Sequence, residues 1–598
     1  VKLYSFDLFD TLVSRKLNQP KDVFLLIEAT NVVNYRNLFF KKIGFYKIRV
    51  FCEKISRIIK NKTTEDVSIY DIYKIISFFV KNPNEVMDLE VKIEKNIIYP
   101  LDFNIGILNA IKGKGKICIT SDMYLPKDVI IEILSVNKIY YDYLYVSSDI
   151  GLTKATGNIF KYIADAHNIK FKDMYHYGDN EWSDVVVPSK MGINVHHVGN
   201  VKHYKSDNVF NIFSRTSQDP LYNLGYEFCG PFAYAFSGFI KNFNKEKRVV
   251  FSARDSYLFE RAFNIFHNNQ EVETFYTRIS RKLVYIPEVH CSGNNDKVFE
   301  GSLSCDEFFK RLNLKCPDNF KGKMVWDIKQ ELDAYLLESN DFKYQLLNEY
   351  KIVKKYLKKH GIRSNIIFVD IGWRGSIQDS LSVIFPENNS IIGLYVGVLN
   401  NHSGKVGFIF NNKRPSKYYF YIFQALSIFE FCFTEPEYSL NTIKENNVGY
   451  DFIFTEDENI TQLDKRKRIQ EGAEDFFRDF RNLIIQLDLD EKYIYNSICK
   501  LIKSKFMNIE PDLINELKDL SHSAGFNGSL QSSLIEFKNF SILGYLQAPW
   551  KSYFMYELKK HSIIRYYLFS IFFHHVLFFI FYENFKVLYR KIRAFLND

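Results

Sequence analysis

The sequence predicts an α/β protein of two modules, and three observations carry that expectation. The chain has 598 residues, too many for one hydrophobic core at about 100–200 residues per domain. Residues 1–205 alternate short apolar runs with stretches of helical periodicity. A second series of strand–loop–helix units follows a polar, turn-rich stretch from Asp207 to Asp219, which marks the boundary. The modules are expected at 1–205 and 215–560, with an aromatic and basic tail at 561–598.

Composition narrows the class. Hydrophobic residues at 46% and charged residues at 25% exclude a wholly disordered chain. Lys and Arg number 79 against 70 acids, and a net charge of +9 over this length does not describe a dedicated nucleic-acid binder. The aromatic content is 17%, with 56 Phe and 40 Tyr. A codon bias toward A and T accounts for most of it, and a surface that meets a membrane or a sugar is the sharper reading. None of the eight cysteines forms C-x-x-C or stands with histidines at zinc-finger spacing, so reduced structural thiols in a cytoplasm are expected. Lys2 opens directly into a strand, so no secretory leader is expected.

The first module is built from strands that end in chemistry. Lys2-Leu3-Tyr4-Ser5-Phe6 reads as a strand that delivers Asp7 to its C-terminal end, where ligands collect in open parallel sheets. A second strand, Lys116-Ile117-Cys118-Ile119-Thr120, ends at Ser121-Asp122. Lys154 stands in the loop Gly151-Leu152-Thr153-Lys154-Ala155-Thr156-Gly157, and a third strand ends in Tyr177-Gly178-Asp179-Asn180-Glu181-Trp182-Ser183-Asp184. These parts answer one problem: a carboxylate attacks phosphorus only when the phosphate charge is neutralised. Asp7 is the candidate nucleophile. Asp7, Asp179 and Asp184 are candidate ligands for Mg²⁺, an oxygen-seeking cation that bridges to phosphate. Ser121 would donate a hydrogen bond to a phosphoryl oxygen, and Lys154 would balance the charge of nucleophile and substrate.

In this order, the four motifs resemble the haloacid dehalogenase (HAD) superfamily, most of whose members are phosphatases; the likeness covers about residues 1–200. It implies a Rossmannoid parallel sheet and an aspartyl-phosphate mechanism. One position departs from the family pattern. The second Asp that usually follows the nucleophile by two residues, as general acid and base, is Phe9 here, and Asp10 stands where Gly is common. A sugar alkoxide needs a proton to leave, so Asp10 or a cap residue is expected to supply it. An aromatic at that position is also similar to the dehalogenases, but the Asp179/Asp184 pair favours phosphate chemistry.

Between Asp10 and Ser121 the sequence reads as helices, at Lys21–Ala29, Phe51–Asn61, Asp71–Val80 and Asn84–Ile98, with Thr63-Thr64-Glu65 as a helix start. The resemblance implies a helical cap inserted at about 14–115. A cap excludes water and selects substrate, which suits a small phosphorylated molecule or a chain end.

The second module carries its own anion-binding pattern. Arg248 to Ser252 reads as a strand, Ala253-Arg254-Asp255-Ser256 as a tight charged loop, and Tyr257 to Phe266 as a helix. An arginine beside a helix N-terminus suits an anion. Arg278, Arg281 and Lys282 follow within five positions. Asn365-Ile366-Ile367-Phe368-Val369-Asp370-Ile371-Gly372-Trp373-Arg374-Gly375-Ser376 reads as a buried strand closed by Asp370, then a Gly-x-x-Gly-Ser loop that opens a helix. Backbone amides of such a loop, with the Ser hydroxyl, cradle phosphate, and Asp370 would accept from sugar hydroxyls. The Gly-Lys-Ser/Thr ending of a Walker loop and the Gly-x-Gly-x-x-Gly fingerprint are both absent.

This stretch looks like the phosphoribosyl diphosphate loop of phosphoribosyltransferases, except that one acidic residue stands where that family commonly has two. Together with the HAD-like module it resembles bacterial dual-domain ribofuranosyltransferases of surface-polysaccharide (capsule or O-antigen) biosynthesis. That likeness implies a bifunctional enzyme: a phosphoribosyltransferase-like domain with added helices moves 5-phosphoribose from phosphoribosyl diphosphate to a lipid-linked glycan acceptor, and the HAD partner removes the 5-phosphate. It assigns Arg254, Asp255, Arg278, Arg281, Lys282, Asp370, Gly372, Arg374, Gly375 and Ser376 to the diphosphate donor, with Glu430 and Glu435 as candidate bases for the acceptor hydroxyl. Two rivals remain: a HAD sugar phosphatase fused to a nucleotide-sugar glycosyltransferase, and a scaffold with degenerate sites.

The tail, Tyr566 to Tyr582, is aromatic but falls short of a membrane span and is interrupted by His574 and His575. From Lys551 onward eight Lys and Arg oppose three acids, a net +5. A helix lying in a membrane interface is one expectation and a buried helix the other. The protein is therefore expected in the cytoplasm, peripheral to the inner face of the membrane. No nucleic-acid partner is expected.

Overall fold

The computed structural model describes residues 2–572 except 62, 200–205, 207, 214–216, 244–247, 268–271, 300–302, 313, 388–390, 400–403, 412–420, 423–424, 455–459, 485–486, 508–509, 525–529, 534, 538, 542–543 and 546–547. The chain divides into two units, Val1–Thr216 with Asn482–Ser497, and Ser217–Arg481 with Ile498–Asp598. Both are α/β and each holds a five-stranded sheet.

In the first unit the strands are β1 (Leu3–Phe6), β2 (Val13–Arg15), β3 (Ile98–Pro100), β4 (Lys116–Ser121), β5 (Tyr143–Val146), β6 (Met174–Gly178) and β7 (Asn194–His197). The sheet runs β5-β4-β1-β6-β7 with every pair parallel. β1 is buried along its whole length, as a central strand covered on both faces must be. Register decides what meets at the sheet's C-terminal edge. Phe6 lies level with Ile119 on one side and Tyr177 on the other, so Asp7, Ser121 and Asp179 emerge from three adjacent strands.

The expected helical insert is present. The chain leaves the sheet at β2 and returns at β3, and these two pair antiparallel as a short ribbon. Between them lie α1 (Asp22–Glu28), α2 (Leu38–Ile43), α3 (Phe45–Lys60), α4 (Ile69–Ile76) and α5 (Pro83–Ile97). The helix at Asp102–Ile111 follows the ribbon and leads into β4. Thr63-Thr64-Glu65 is not a helix start. The N-cap of α4 is Ser68, whose hydroxyl accepts from the Asp71 amide while the Asp71 carboxylate accepts from the Ser68 amide, a reciprocal capping box. Glu65 turns the other way and accepts hydrogen bonds from Thr153, Thr156 and Asn158.

In the second unit β8 (Arg248–Ser252), β9 (Thr274–Thr277), β10 (Ile366–Trp373), β11 (Ile391–Val398) and β12 (Lys405–Asn411) form a parallel sheet in the order β12-β11-β10-β8-β9. Asp370 does not close its strand, as the sequence suggested. β11 continues the ladder past it, pairing Gly372 with Gly397 and Trp373 with Val398, so Asp370 lies inside β10 and the loop shrinks to Arg374 and Gly375. All eight cysteines are free thiols. Among the described residues no helix is long and apolar enough to cross a membrane. The helix Ile563–Phe572 is the last described element, so most of the expected interfacial tail, with His574 and His575, lies outside the described residues.

Candidate active sites

The first site forms where β1, β4 and β6 end. Asp7 is buried, and its amide donates to the Tyr177 carbonyl at 2.8 Å, which fixes the residue to the neighbouring strand. Lys154 sits in the loop after Gly151, a left-handed residue (φ +80°) that turns the chain back. Its amide donates to both Asp122 carboxylate oxygens, so Asp122 holds the loop. The ammonium lies 2.5 Å from Asp7 Oδ1 and 2.6 Å from Asp184 Oδ1. Glu65 binds the same loop from the cap side, a clasp between cap and core that the sequence did not reveal.

Asp179 follows β6 directly. Asp184 stands one turn on, within the π-helical turn Glu181–Val186, where its Oδ2 accepts from the Asn180 amide at 3.0 Å. Asp7, Asp179 and Asp184 offer carboxylate oxygens that all lie within 4.8 Å of one another. Burial pushes the Asp7 carboxyl upward against the pull of Lys154, and the charges of Asp184 and Asp179 add to the push. Burial works against the charge of Asp184 as well, but Lys154 and His176 outweigh it and hold that carboxyl low. Two buried carboxylates, Asp7 and Asp184, share one lysine, with the half-buried Asp179 beside them. A divalent cation fits that imbalance, with Asp7, Asp179 and Asp184 as its holders.

His176 had no motif to announce it. It is wholly buried in β6, with Nε2 at 3.1 Å from Asp184 Oδ1 and Nδ1 at 2.9 Å from the Ser5 hydroxyl, which itself meets Thr120 at 2.9 Å. Burial lowers its basicity. A neutral ring beside an acceptor-only carboxylate donates through Nε2, so a Ser5–His176 bond orients Asp184. The position two residues after Asp7 carries no acid. The Phe9 ring lies under the Arg15 guanidinium at 4.4 Å, and Arg15 is paired with buried Glu94 at 2.9 Å. Asp10 adopts φ +60°, which explains why glycine suits that position, and its carboxylate accepts from the Ser14 hydroxyl at 2.8 Å.

The second site is a cavity of about 440 Å³ at the C-terminal ends of β8, β9 and β10. Arg254, Asp255, Arg278, Arg281, Lys282, Asp370, Gly372, Arg374, Ser376, Glu430 and Glu435 all line it. Gly375 does not; it caps the helix Ser376–Ile384 at φ +67°, where a Cβ would come within 2.9 Å of Lys405 and Tyr395. Arg281 and Lys282 are the first two residues of a helix capped by Ser280, so their charges add to its N-terminal dipole. The walls are braced by hydrogen bonds. The Tyr276 hydroxyl accepts from the Arg254 amide and donates to Glu435 at 2.6 Å, and the Glu435 amide donates to the Arg254 carbonyl. Trp373 Nε1 donates to Glu430 at 2.7 Å. Burial, with the charge of Asp255, pushes the Asp370 carboxyl well up, and burial raises Glu435. Glu437, paired with Arg278, and Arg466 also line the cavity. Neither stands in a motif that marks it in the sequence. Arg466 arrives on the helix Ile460–Ile484, far along the chain from the motifs.

No family model and no curated protein matches the chain. Among solved structures it is similar to a HAD family enzyme from Bacteroides thetaiotaomicron, solved in complex with magnesium and inorganic phosphate. That similarity has 16% identity over 33% of this chain and 93% of that one, with a TM-score of 0.24. It is also similar to an L-2-haloacid dehalogenase from Xanthobacter autotrophicus, at 12% identity over 37% of this chain and 81% of that one, with a TM-score of 0.24. The N-terminal unit itself shows the parallel order β5-β4-β1-β6-β7, the insert after β1, and the Asp7, Lys154, Asp179 and Asp184 cluster.

Proposed function

We propose that the chain is a bifunctional enzyme: a HAD-type, Mg²⁺-dependent phosphatase joined to a transferase that takes phosphoribosyl diphosphate and places 5-phosphoribose on a lipid-linked glycan. The observation that carries the phosphatase is the triad of close carboxylates, two of them buried and paired with one lysine. Asp7 attacks phosphorus and the ester oxygen departs; water then hydrolyses the aspartyl phosphate and frees Asp7. Lys154 holds Asp7 charged and oriented, His176 orients Asp184, and Ser121 reaches a phosphoryl oxygen. A bound Mg²⁺ would neutralise phosphate charge in this site. With Phe9 in the usual acid position, Asp10 is the carboxyl of this loop that would give the departing oxygen a proton.

The transferase reading is supported by the cavity of the second unit. Six cations, Arg254, Arg278, Arg281, Lys282, Arg374 and Arg466, line it with the buried Asp370. A diphosphate leaving group needs such cations as the anomeric bond breaks and positive charge builds on the ribose. Glu435, held by Tyr276 and raised by burial, is suited to take the acceptor hydroxyl's proton.

Mass spectrometry of a short glycan acceptor incubated with phosphoribosyl diphosphate and Mg²⁺ tests both halves. The acceptor is expected to gain phosphoribose and then lose phosphate. Asp7→Asn should stop at the phosphorylated product, with phosphate release down at least a hundredfold, and Asp370→Asn should block the gain. Binding of a nucleotide sugar, with no binding of phosphoribosyl diphosphate, would overturn the transferase assignment.

A further inference from the structure

The cap carries a second feature that the phosphatase chemistry does not use. Residues 36–81 hold eleven Lys and Arg against four acids, a net +7 in a chain whose total is +9. The structure commits all four acids elsewhere. Glu53 is paired with Arg49 and Arg57, Asp66 with Arg57, and Asp71 with Lys60, while Glu65 is taken by the loop at 153–158. Six exposed lysines, Lys41, Lys42, Lys47, Lys54, Lys74 and Lys81, have no ion pair among the described residues.

These lysines alternate with exposed apolar side chains along two helices. On α3 the outward positions are Lys47, Phe51, Lys54 and Ile58, spaced four, three and four apart, so they form one stripe. Along α4 and the turn after it, Tyr70, Lys74, Phe78 and Lys81 repeat the pattern. The two helices pack together. Ring contacts Phe51–Phe79 at 6.3 Å, Phe79–Phe40 at 4.9 Å and Phe40–Phe39 at 5.9 Å join the stripes to α2, where Leu38 and Phe39 are 78% and 66% exposed. Arg36 donates to the Ser77 carbonyl and ties the entry of α2 to the end of α4.

Large apolar side chains held in the open and ringed by unpaired lysines describe a surface suited to a lipid headgroup region. Aromatic rings sit at the acyl boundary, and lysine stems lie along apolar surface with their charges among the phosphates. A folded protein surface would have to supply both an apolar recess and about six carboxylates to match it, and a nucleic acid offers no partner for Leu38, Ile58 and Ile59. The basic tail of this chain has the same sign of charge and is repelled. We infer that the exposed face of α2, α3 and α4 is a docking surface for an anionic membrane, so that the phosphatase unit meets the bilayer through its cap.

The test is co-sedimentation of the full chain with vesicles of phosphatidylcholine alone and of phosphatidylcholine with phosphatidylglycerol, in low salt and in 0.5 M salt. Binding is expected only to the anionic vesicles, and it should weaken with salt. A charge variant, K41E/K47E/K54E/K74E, and an apolar variant, F39S/F51S/F78S, should each reduce partition at least tenfold. Both should retain phosphatase turnover on p-nitrophenyl phosphate, since none of these residues touches Asp7, Lys154, Asp179 or Asp184; that turnover also reports that the unit is folded. A third full-length variant with Lys586, Arg590, Lys591 and Arg593 changed to Gln separates the tail from the cap. Three results would overturn the inference: no partition to anionic vesicles, partition unchanged in both cap variants, or partition lost only in the tail variant. A cap-dependent affinity for RNA, or a cap-dependent dimer, without vesicle binding would overturn it equally.

Discussion

Asp184 shows how tightly a buried carboxylate is placed by the residues around it. Its Oδ1 meets Lys154 and His176, its Oδ2 takes the Asn180 amide, and its side chain lies against Gly178. A Cβ at Gly178 would fall 2.5 Å from the Asp184 Cβ and Cγ, closer than carbon atoms approach. Gly178→Ala is therefore expected to push Asp184 away from Asp7 and Asp179. A shift of about 1 Å in such a site costs on the order of a hundredfold in rate. Phosphate release should fall by about that factor and the Mg²⁺ concentration for half-maximal rate should rise, while circular dichroism stays native. Wild-type Mg²⁺ dependence in that variant would refute the placement. Asp7 was readable because it stands at the end of an apolar run, where a carboxylate is conspicuous, and Lys154, Asp179 and Asp184 because they follow it in order within polar loops. His176 was not. Inside a strand it reads as one polar residue among tyrosines, and its bond to Asp184 exists only after β6 turns.

At the scale of elements, patterning was legible wherever one face is buried, and boundaries were legible only where the cap was recognised. The strands β1 and β4 are apolar runs and fall within a residue of expectation. The start of α4 does not, because Thr63-Thr64-Glu65 and Ser68-Ile69-Tyr70-Asp71 both offer a capping pattern. What separates them is tertiary: Glu65 is drawn off by Thr153, Thr156 and Asn158, which leaves Ser68 with Asp71. The end of β10 was missed for a similar reason, since only the facing strand β11 extends it past Asp370. The capping box makes a measurable difference between the two candidates. Ser68→Ala removes the acceptor for the Asp71 amide and should lower stability by about 1 kcal/mol in urea unfolding. Thr63→Ala, whose hydroxyl bonds only the Lys60 carbonyl on the surface, should change it by less than about 0.5 kcal/mol. Equal effects would mean that the helix begins at the earlier site.

The whole chain is less modular than its motifs suggest, because the first unit is completed by residues that lie within the second unit's stretch of sequence. Asn482–Ser497 belongs with Val1–Thr216. The Asn31 amide donates to the Asp488 carbonyl at 3.0 Å, the Asp490 amide donates to Ala29 at 2.7 Å, and Thr30 and Leu489 form an antiparallel bridge. Asn31 Nδ2 reaches Asp488 Oδ2 at 3.1 Å, and Asn208 Nδ2 reaches the Ser497 carbonyl at 2.9 Å. No local pattern could announce a pairing between residues 31 and 488, since a two-residue bridge leaves no periodicity in either strand. A fragment cut at the apparent linker would therefore lack part of its own fold. Removing the segment leaves the Ala29 carbonyl, the Asn31 amide and the buried Asn208 amide unpaired. At about 1 kcal/mol for each hydrogen bond, the loss is about 2–3 kcal/mol, or about 5–10 °C in melting temperature for a unit of this size. Residues 1–216 alone should accordingly melt lower by that amount than 1–216 joined through a Gly/Ser linker to 482–497, with phosphate release at 25 °C preserved in the joined form. Identical melting curves for the two would show that the returning segment contributes nothing to the first unit.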